Sequence, residues 1–200
     1  MNNRMYVGSM KKITYTPLVM SLLHISFGLA VPPQSVEFTV NSGFGSSLVG
    51  WNSLGAASWS SQDINASPSS GSALLDVPTQ YTQSIDQCVT NGFFVGDRLT
   101  ATAWFSGASG HTTPGLAIVY YPNSSCLYTA MKSEFVNFDG SLSAGGTGRL
   151  SIYGMAVPSG TFGILVSARA STSQPAQVYV DNVHLMRTEQ VFADDFESRL

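Results

Sequence analysis

Two hundred residues suit one domain with a two-layer core better than several independent ones. Only 10% of the residues are charged, so Ser, Thr, Asn, Gln and Gly must fill most solvent-facing positions, a profile that suits an extracellular β protein. The formal net charge is -3, and three of the nine basic residues (Arg4, Lys11, Lys12) lie at the extreme N-terminus. The rest of the chain is acidic and has no basic stripe for a phosphate backbone, which excludes nucleic acid as a partner.

Met10-Lys11-Lys12 forms a positively charged start, Ile13 to Ala30 is apolar apart from hydroxyls and His24, and Gly28-Leu29-Ala30 offers small residues for cleavage. This reads as a signal peptide over residues 1–30, and Met10 could serve as its start. A membrane anchor fits less well, because the run contains Pro17 and is short for a span of roughly 20 residues. No Cys follows the leader, which argues against a lipoprotein. The expected product is secreted or periplasmic, with no membrane span in its mature form.

Export places Cys88 and Cys126, the only two cysteines, in an oxidising compartment, so a Cys88–Cys126 disulfide is expected, with two buried free thiols as the alternative. His111 and His184, the only histidines beyond the leader, show no zinc-ligand spacing with them.

Beyond the leader, short apolar or alternating runs are separated by Gly, Pro, Asn and Ser clusters, and no long stretch has helical periodicity. Strands are predicted over Val36–Val40, Ala73–Val77, Tyr81–Val89, Arg98–Phe105, Leu116–Tyr121, Arg149–Val157, Phe162–Ala168 and Gln177–Leu185. Loops are predicted at Pro68–Gly71, Gly107–Gly115, Gly145–Gly148 and Pro158–Gly160. The predicted class is all-β, a two-sheet antiparallel jelly-roll β-sandwich. The organisation is a leader over 1–30, a domain over 31–187 and a tail over 188–200.

Alternation places Leu99, Ala101, Ala103 and Phe105 on one side of their strand, and Arg98, Thr100, Thr102 and Trp104 on the other. Trp104 among polar neighbours suits stacking on a sugar ring; the alternative is burial beneath the Gly107–Gly115 loop. Arg149, Ser151, Tyr153 and Met155 likewise oppose Leu150 and Ile152. Tyr120 and Tyr121 must point to opposite faces, one to the core and one outward. Trp51 and Trp59 read as plugs at the sandwich edge, and Gln87, between Ile85 and Val89, as a buried hydrogen-bonding side chain.

Asn41-Ser42-Gly43-Phe44-Gly45-Ser46-Ser47-Leu48-Val49-Gly50-Trp51 resembles the N-x-G-F-E-x-G-L-x-G-W opening of galactose-binding-like carbohydrate-binding modules. Further pieces follow in order: Trp59, Asp63 and Ser70-Gly71-Ser72-Ala73; Ile85-Asp86-Gln87-Cys88-Val89; Gly96 to Trp104; Val157-Pro158-Ser159-Gly160-Thr161; and Val178-Tyr179-Val180-Asp181-Asn182-Val183-His184-Leu185. Together they cover about residues 36 to 186. The resemblance implies a secreted bacterial jelly roll that binds a polysaccharide without catalysis, on its concave sheet or at loop tips. The candidate contacts are Trp104, Tyr153, Arg149 and Tyr121.

The same resemblance implies a structural calcium beside the first and last strands, with Asp181 as the best ligand. Gly45 and Asn182 replace two of the family's acidic residues, so a weak or empty site is expected. No other cofactor is expected, and the domain is expected to be monomeric.

A structural or adhesive surface protein is the alternative. A lyase or hydrolase is less favoured, because Asp86, Glu134, Asp139 and Asp181 are scattered and no nucleophile elbow occurs. Val191 to Ser198 resembles a short F-x-D-x-F-E-S signature near the ends of secreted bacterial proteins, and is read as a frayed terminus. Asn65-Ala66-Ser67 and Asn123-Ser124-Ser125 match sequons, which in a bacterial protein stay unmodified and indicate exposed loops.

Overall fold

The computed structural model describes residues 35–66 and 69–188. The leader, the cleavage site and the tail motif lie outside the described residues. Twelve strands form among them: β1 (Ser35–Glu37), β2 (Asn52–Leu54), β3 (Ala57–Ser60), β4 (Ser72–Val77), β5 (Thr82–Val89), β6 (Arg98–Ser109), β7 (His111–Tyr121), β8 (Lys132–Asn137), β9 (Leu142–Ser143), β10 (Thr147–Ala156), β11 (Gly163–Ser171) and β12 (Ala176–Thr188). The first sheet runs β10-β6-β12-β4-β3 with β1 also on β12; the second runs β2-β5-β11-β7-β8 with β9 also on β7. All strand pairings are antiparallel. The architecture is the all-β sandwich expected, and every predicted strand is present, several with shifted ends.

The inward residues of both sheets make one apolar layer. Leu99, Ala101, Ala103 and Phe105 of β6 and Ile164, Val166, Ala168 and Ala170 of β11 all belong to it and are fully buried. Gln87 is the buried polar residue its position foretold: Oε1 accepts from Val40 N at 2.8 Å, while Nε2 donates to Val40 O at 3.0 Å and Gly50 O at 2.9 Å. This ties the opening loop to β5. Trp51 is buried, and its indole N–H is shared between the carbonyls of Val40 and Asn41, each at 3.1 Å. Trp59 is more exposed than a plug, because it stands on the edge strand β3 with its N–H donated to Phe44 O at 2.7 Å.

Three expectations need correction. The Gly107–Gly115 loop does not form: β6 continues to Ser109, a tight turn at Gly110 follows (φ 66°), and β7 starts at His111. A Cβ at Gly107 would lie 2.1 Å from Ser143 O, so that glycine permits close approach of β6 to the β9 backbone. Trp104 therefore has no such loop above it. Met155 does not share a face with Tyr153, since the register shifts between Ile152 and Met155 around Gly154 (φ 65°) and turns Met155 onto the core opposite Leu99. The short strands β2, β3, β8 and β9 were not predicted; their four to six or fewer residues carry too little periodicity, and neighbours supply their pairing.

β12 is the axis of the first sheet. One edge pairs with β6 over Gln177–Asp181 and His184–Arg187; the other pairs with β4 over Ala176–Val180 and with β1 over Met186–Thr188. Between those partners the strand bulges at Asp181–Val183, with Asn182 at φ 49°. The opening loop fills the gap, since Val183 N donates to Ser42 O at 3.0 Å.

Cys88 and Cys126 are joined in a disulfide that fastens residues 122–131 to β5. Its 38-residue separation gives about 4 kcal/mol in the chain-entropy account, so the Cys88→Ala/Cys126→Ala double variant should lose about that much unfolding free energy in urea. A loss below about 1 kcal/mol would show that other contacts already fix the loop. Tyr120 is the core member of its pair, fully buried with a hydroxyl that has no partner, and burial first, then the charge of Glu134, push its pKa up to about 12. Tyr120→Phe should raise the melting temperature, because an orphaned buried hydroxyl costs about 1 kcal/mol or more. A lower melting temperature would mean the hydroxyl is satisfied in solution.

Candidate functional site

The outward face of the second sheet has an unusual distribution of side-chain size. Strand register sets Asn52, Asp86, Ser167, Ala117 and Phe135 in one row across five strands. The next row is Leu54, Ser84, Arg169, Gly115 and Asn137. The three central strands thus present mainly small residues, while Leu54 and Phe135 stand on the two edge strands. Ser84 and Ala117 are each only 5% exposed and Ser167 9%, although they point away from the core; Leu54 and Phe135 are 63% and 61% exposed. Outward residues that are nevertheless buried must lie below taller neighbours, so this face is a trough with apolar rims. Four strand spacings of about 4.8 Å make it roughly 19 Å wide across the strands.

Its ends differ. Cys88, Leu165 and Val119 lead toward Gly163 and Tyr121, where the disulfide loop closes in: a Cβ at Gly163 would lie 2.5 Å from Asn123 O and 2.9 Å from Cys126 Sγ. At the other end Tyr81, Thr82, Thr113, Ser171 and Thr172 line an open depression of about 410 Å³, rich in hydroxyls.

Two charged side chains belong to the floor. Arg169 lies across Gly115, where a Cβ would meet its Nε at 2.9 Å, and reaches β8. There its guanidinium sits 5.3 Å from the Phe135 ring centroid and Nη2 donates to Asn137 Oδ1 at 3.4 Å. Asp86 accepts from Ser84 Oγ through Oδ2 at 2.9 Å, its Oδ1 is shut off from solvent, and the Ser167 side chain lies directly opposite it across the strands. Burial pushes the Asp86 carboxyl up, and the Ser167 and Ser84 hydroxyls pull it part of the way back.

The sequence-predicted contacts do not form one site. Tyr121 belongs to the trough face, half-buried at its stapled end. Trp104, Arg149 and Tyr153 lie on the outward face of the first sheet. Arg149 pairs with Trp104 across the strands, and its guanidinium stands 6.0 Å over the indole ring, where a sugar would stack. Tyr153 is exposed near the bulge. The trough itself was missed, because its signal is the absence of bulk at alternate positions of three strands distant in sequence, and that pattern acquires meaning only with register.

Asp181, proposed from the sequence as a metal ligand, is fully buried in the β12 bulge. Its Oδ1 accepts from Asn182 N at 2.7 Å and its Oδ2 from Ile64 N at 3.4 Å. Burial and the charge of Asp63 raise its pKa to about 6 against the pull of the Asn182 and Ile64 amides and His184. Asp63 in turn accepts from Asn65 N at 2.6 Å and from Ser70 Oγ. All four oxygens of this carboxylate pair already face hydrogen-bond donors, and no group of three or more His, Cys, Asp or Glu poised for a metal occurs among the described residues. Asp181 serves as an acceptor for backbone amides at the bulge. Gly45, where the resembled motif has Glu, donates its own N–H to Asn41 Oδ1 at 3.0 Å.

No model of a protein family matches the chain, and no curated protein matches it. Solved structures do resemble it. A family 61 carbohydrate-binding module in complex with β-1,4-galactotriose superposes with a TM-score of 0.53 at 16% identity, over 76% of this chain and 99% of that one. The C-terminal family 22 module of Clostridium thermocellum xylanase 10B gives 0.55 at 17%, over 75% and 92%. The enzymatically active domain of tailspike protein 4 of bacteriophage CBA120 gives 0.57 at 17%, over 74% of this chain and only 21% of its own length. At these identities the shared property is architecture: the chain has the jelly-roll fold found in carbohydrate-binding modules.

Proposed function

We propose that this chain is an exported, non-catalytic polysaccharide-binding domain that holds a glycan across the outward face of its second sheet. The observation that carries the reading is the trough: a recessed floor of small and hydroxylated side chains between apolar rims, on a face the core does not use. Sugar rings combine apolar faces with hydroxyl edges, so a site for them needs a flat apolar contact beside polar groups, and Phe135, Arg169, Asn137, Asn52 and Asp86 provide both in adjacent rows. The similar folds of a family 61 module in complex with β-1,4-galactotriose and of a family 22 and GH10 xylanase module pair in complex with xylohexaose support the reading. A non-catalytic role is supported by carboxylate count, because Asp86 is the sole carboxylate on the outward rows of the trough among the described residues and glycoside hydrolysis ordinarily needs two. The disulfide suits an oxidising compartment outside the cytoplasm.

The first-sheet platform of Trp104, Arg149 and Tyr153 is the rival location, and titration with soluble xylan, galactan and β-glucan separates the two. Phe135→Ala should weaken binding by about tenfold, equivalent to about 1.4 kcal/mol, without shifting the melting temperature. Trp104→Ala should change affinity less than about twofold. The opposite ranking would move the site to the first sheet, and release of reducing ends or unsaturated products would make the chain an enzyme.

Calcium, in this reading, contributes nothing measurable to the fold, since the Asp181 and Asp63 carboxylates are engaged by protein donors. Melting curves with millimolar calcium and with chelator should coincide. A steep fall on chelation would show that other oxygens complete a cage.

A further inference from the structure

The trough is stopped at one end and open at the other. Ile164 and Tyr120 are fully buried, so by alternation their neighbours Gly163 and Tyr121 lie on the outward face, and Cys88, Leu165 and Val119 form the row beside them. Segment 122–131 joins β7 to β8 past this row and folds back over the face. Its Cys126 is bonded to Cys88 of β5. Its Asn123 O and Cys126 Sγ fill the space in which a side chain at Gly163 of β11 would stand, 2.5 and 2.9 Å from a Cβ placed there. Starting from β7 and β8 and crossing β11 to β5, the loop closes off four of the five strands that carry the floor.

The loop is held by its own hydrogen bonds as well as by the staple. Asn123 Oδ1 accepts from Ser125 N at 3.2 Å and from Ser125 Oγ at 2.8 Å, Asn123 Nδ2 donates to Leu127 O at 2.9 Å, and Met131 N donates to Tyr120 O at 2.8 Å. Polarity changes along the floor away from it. Half-buried Leu165 and Val119 lie next to the loop, whereas Thr82, Ser171 and Thr113 form the last row, where the hydroxyl-lined depression opens with Tyr81 66% exposed. From Gly163 to Ser171 the floor runs eight residue steps along β11, roughly 27 Å at about 3.4 Å per step.

We propose that the trough binds a glycan by its terminus and not by its interior: the terminal sugar seats on Leu165 and Val119 against the stapled loop, and the chain runs along the strands between the rims and leaves over Tyr81. The inference rests on the polysaccharide-binding reading above. A chain held by its interior must leave the floor at both ends, and the loop stands in one of those exits. The two termini of a linear glycan differ chemically, and the floor grades from apolar to hydroxylated, so one terminus fits and each chain takes one domain whatever its length. Tyr81 offers an exposed ring on which an outgoing sugar stacks, with the Thr82, Thr113 and Ser171 hydroxyls beside it.

The test is isothermal titration of the protein with xylan, galactan and β-glucan and with their oligosaccharides from the disaccharide upward, the concentration of chains in each being set by a reducing-end assay. Expected is one domain per chain at every length of the glycan that binds, with affinity rising until the oligosaccharide spans roughly 27 Å and level beyond that. Tyr81→Ala, a change at an exposed side chain, should bind oligosaccharides of that span about fivefold more weakly and leave the shortest bound oligosaccharide unaffected. A number of bound domains that grows in proportion to chain length, with Phe135→Ala still impaired, would overturn recognition of the terminus and leave the trough standing. Equal affinity of wild type and Tyr81→Ala for the long oligosaccharides, or an equal loss for short and long ones, would overturn the path assigned to the chain. Absence of all glycan binding by wild type would overturn the parent reading and this one with it.

Discussion

The shape of the trough depends on a single constraint, the volume of the outward side chains on β5, β11 and β7. Two packed sheets bury their inner faces regardless of what stands outside, so the core places no demand on those positions. Ser84, Ser167, Ala117 and Gly115 occupy them with almost no bulk, while Leu54 and Phe135 stand upright on the flanking strands. Gly115 shows the constraint most directly: a methyl group there would collide with the Arg169 side chain, which can lie flat and reach β8 only because the floor is open. The position of Arg169 in turn leaves Asp86 without a cation. Bulk and charge placement on this face are consequences of one another.

A different economy governs the first sheet. β12 needs two successive partners on one edge, and any strand that changes partners has a stretch where its backbone groups lack a ladder. The bulge at Asp181–Val183 is that stretch, and it is closed by the opening loop through Ser42 O and by the Asp181 carboxylate through Asn182 N and Ile64 N. Glu37 performs a related task nearby, accepting from His184, Thr39 and the Leu185 amide. Burial raises its pKa, but the hydrogen bonds and the His184 contact outweigh that and hold it below the usual value. The acidic residues around β12 therefore accept from backbone amides at both ends of the bulge.

Much of this fold was legible without coordinates, because alternation is a local signal. The faces of β6, the burial and hydrogen-bonding of Gln87, the opposite destinations of Tyr120 and Tyr121, and the Cys88–Cys126 link all follow from period-two patterning and compartment chemistry. Misreadings arose where a glycine did something other than end an element. Gly107 and Gly115 sit inside strands to permit close approach, and Gly154 marks a bulge that reversed Met155. The candidate site was less legible for a related reason. Trp104, Arg149, Tyr153 and Tyr121 were grouped because each is an outward polar or aromatic residue, but alternation says only that a side chain leaves the core, not which of two sheets it leaves from.

That ambiguity is resolved by strand order, and strand order also bears on how a ligand would be held. The trough floor is made of backbone already committed to a ladder on both sides, with β11 paired along its whole length to β5 and β7. Nothing in that floor has to order when a chain lands on it, so little conformational entropy opposes binding there. The stapled 122–131 loop extends this rigidity to one end, since the disulfide anchors it to β5 and Cys126 rests against Gly163 of β11. Rigidity of the floor also makes selectivity depend on fixed charges and fixed rims, because a surface that cannot rearrange cannot adapt to a poorly matched chain.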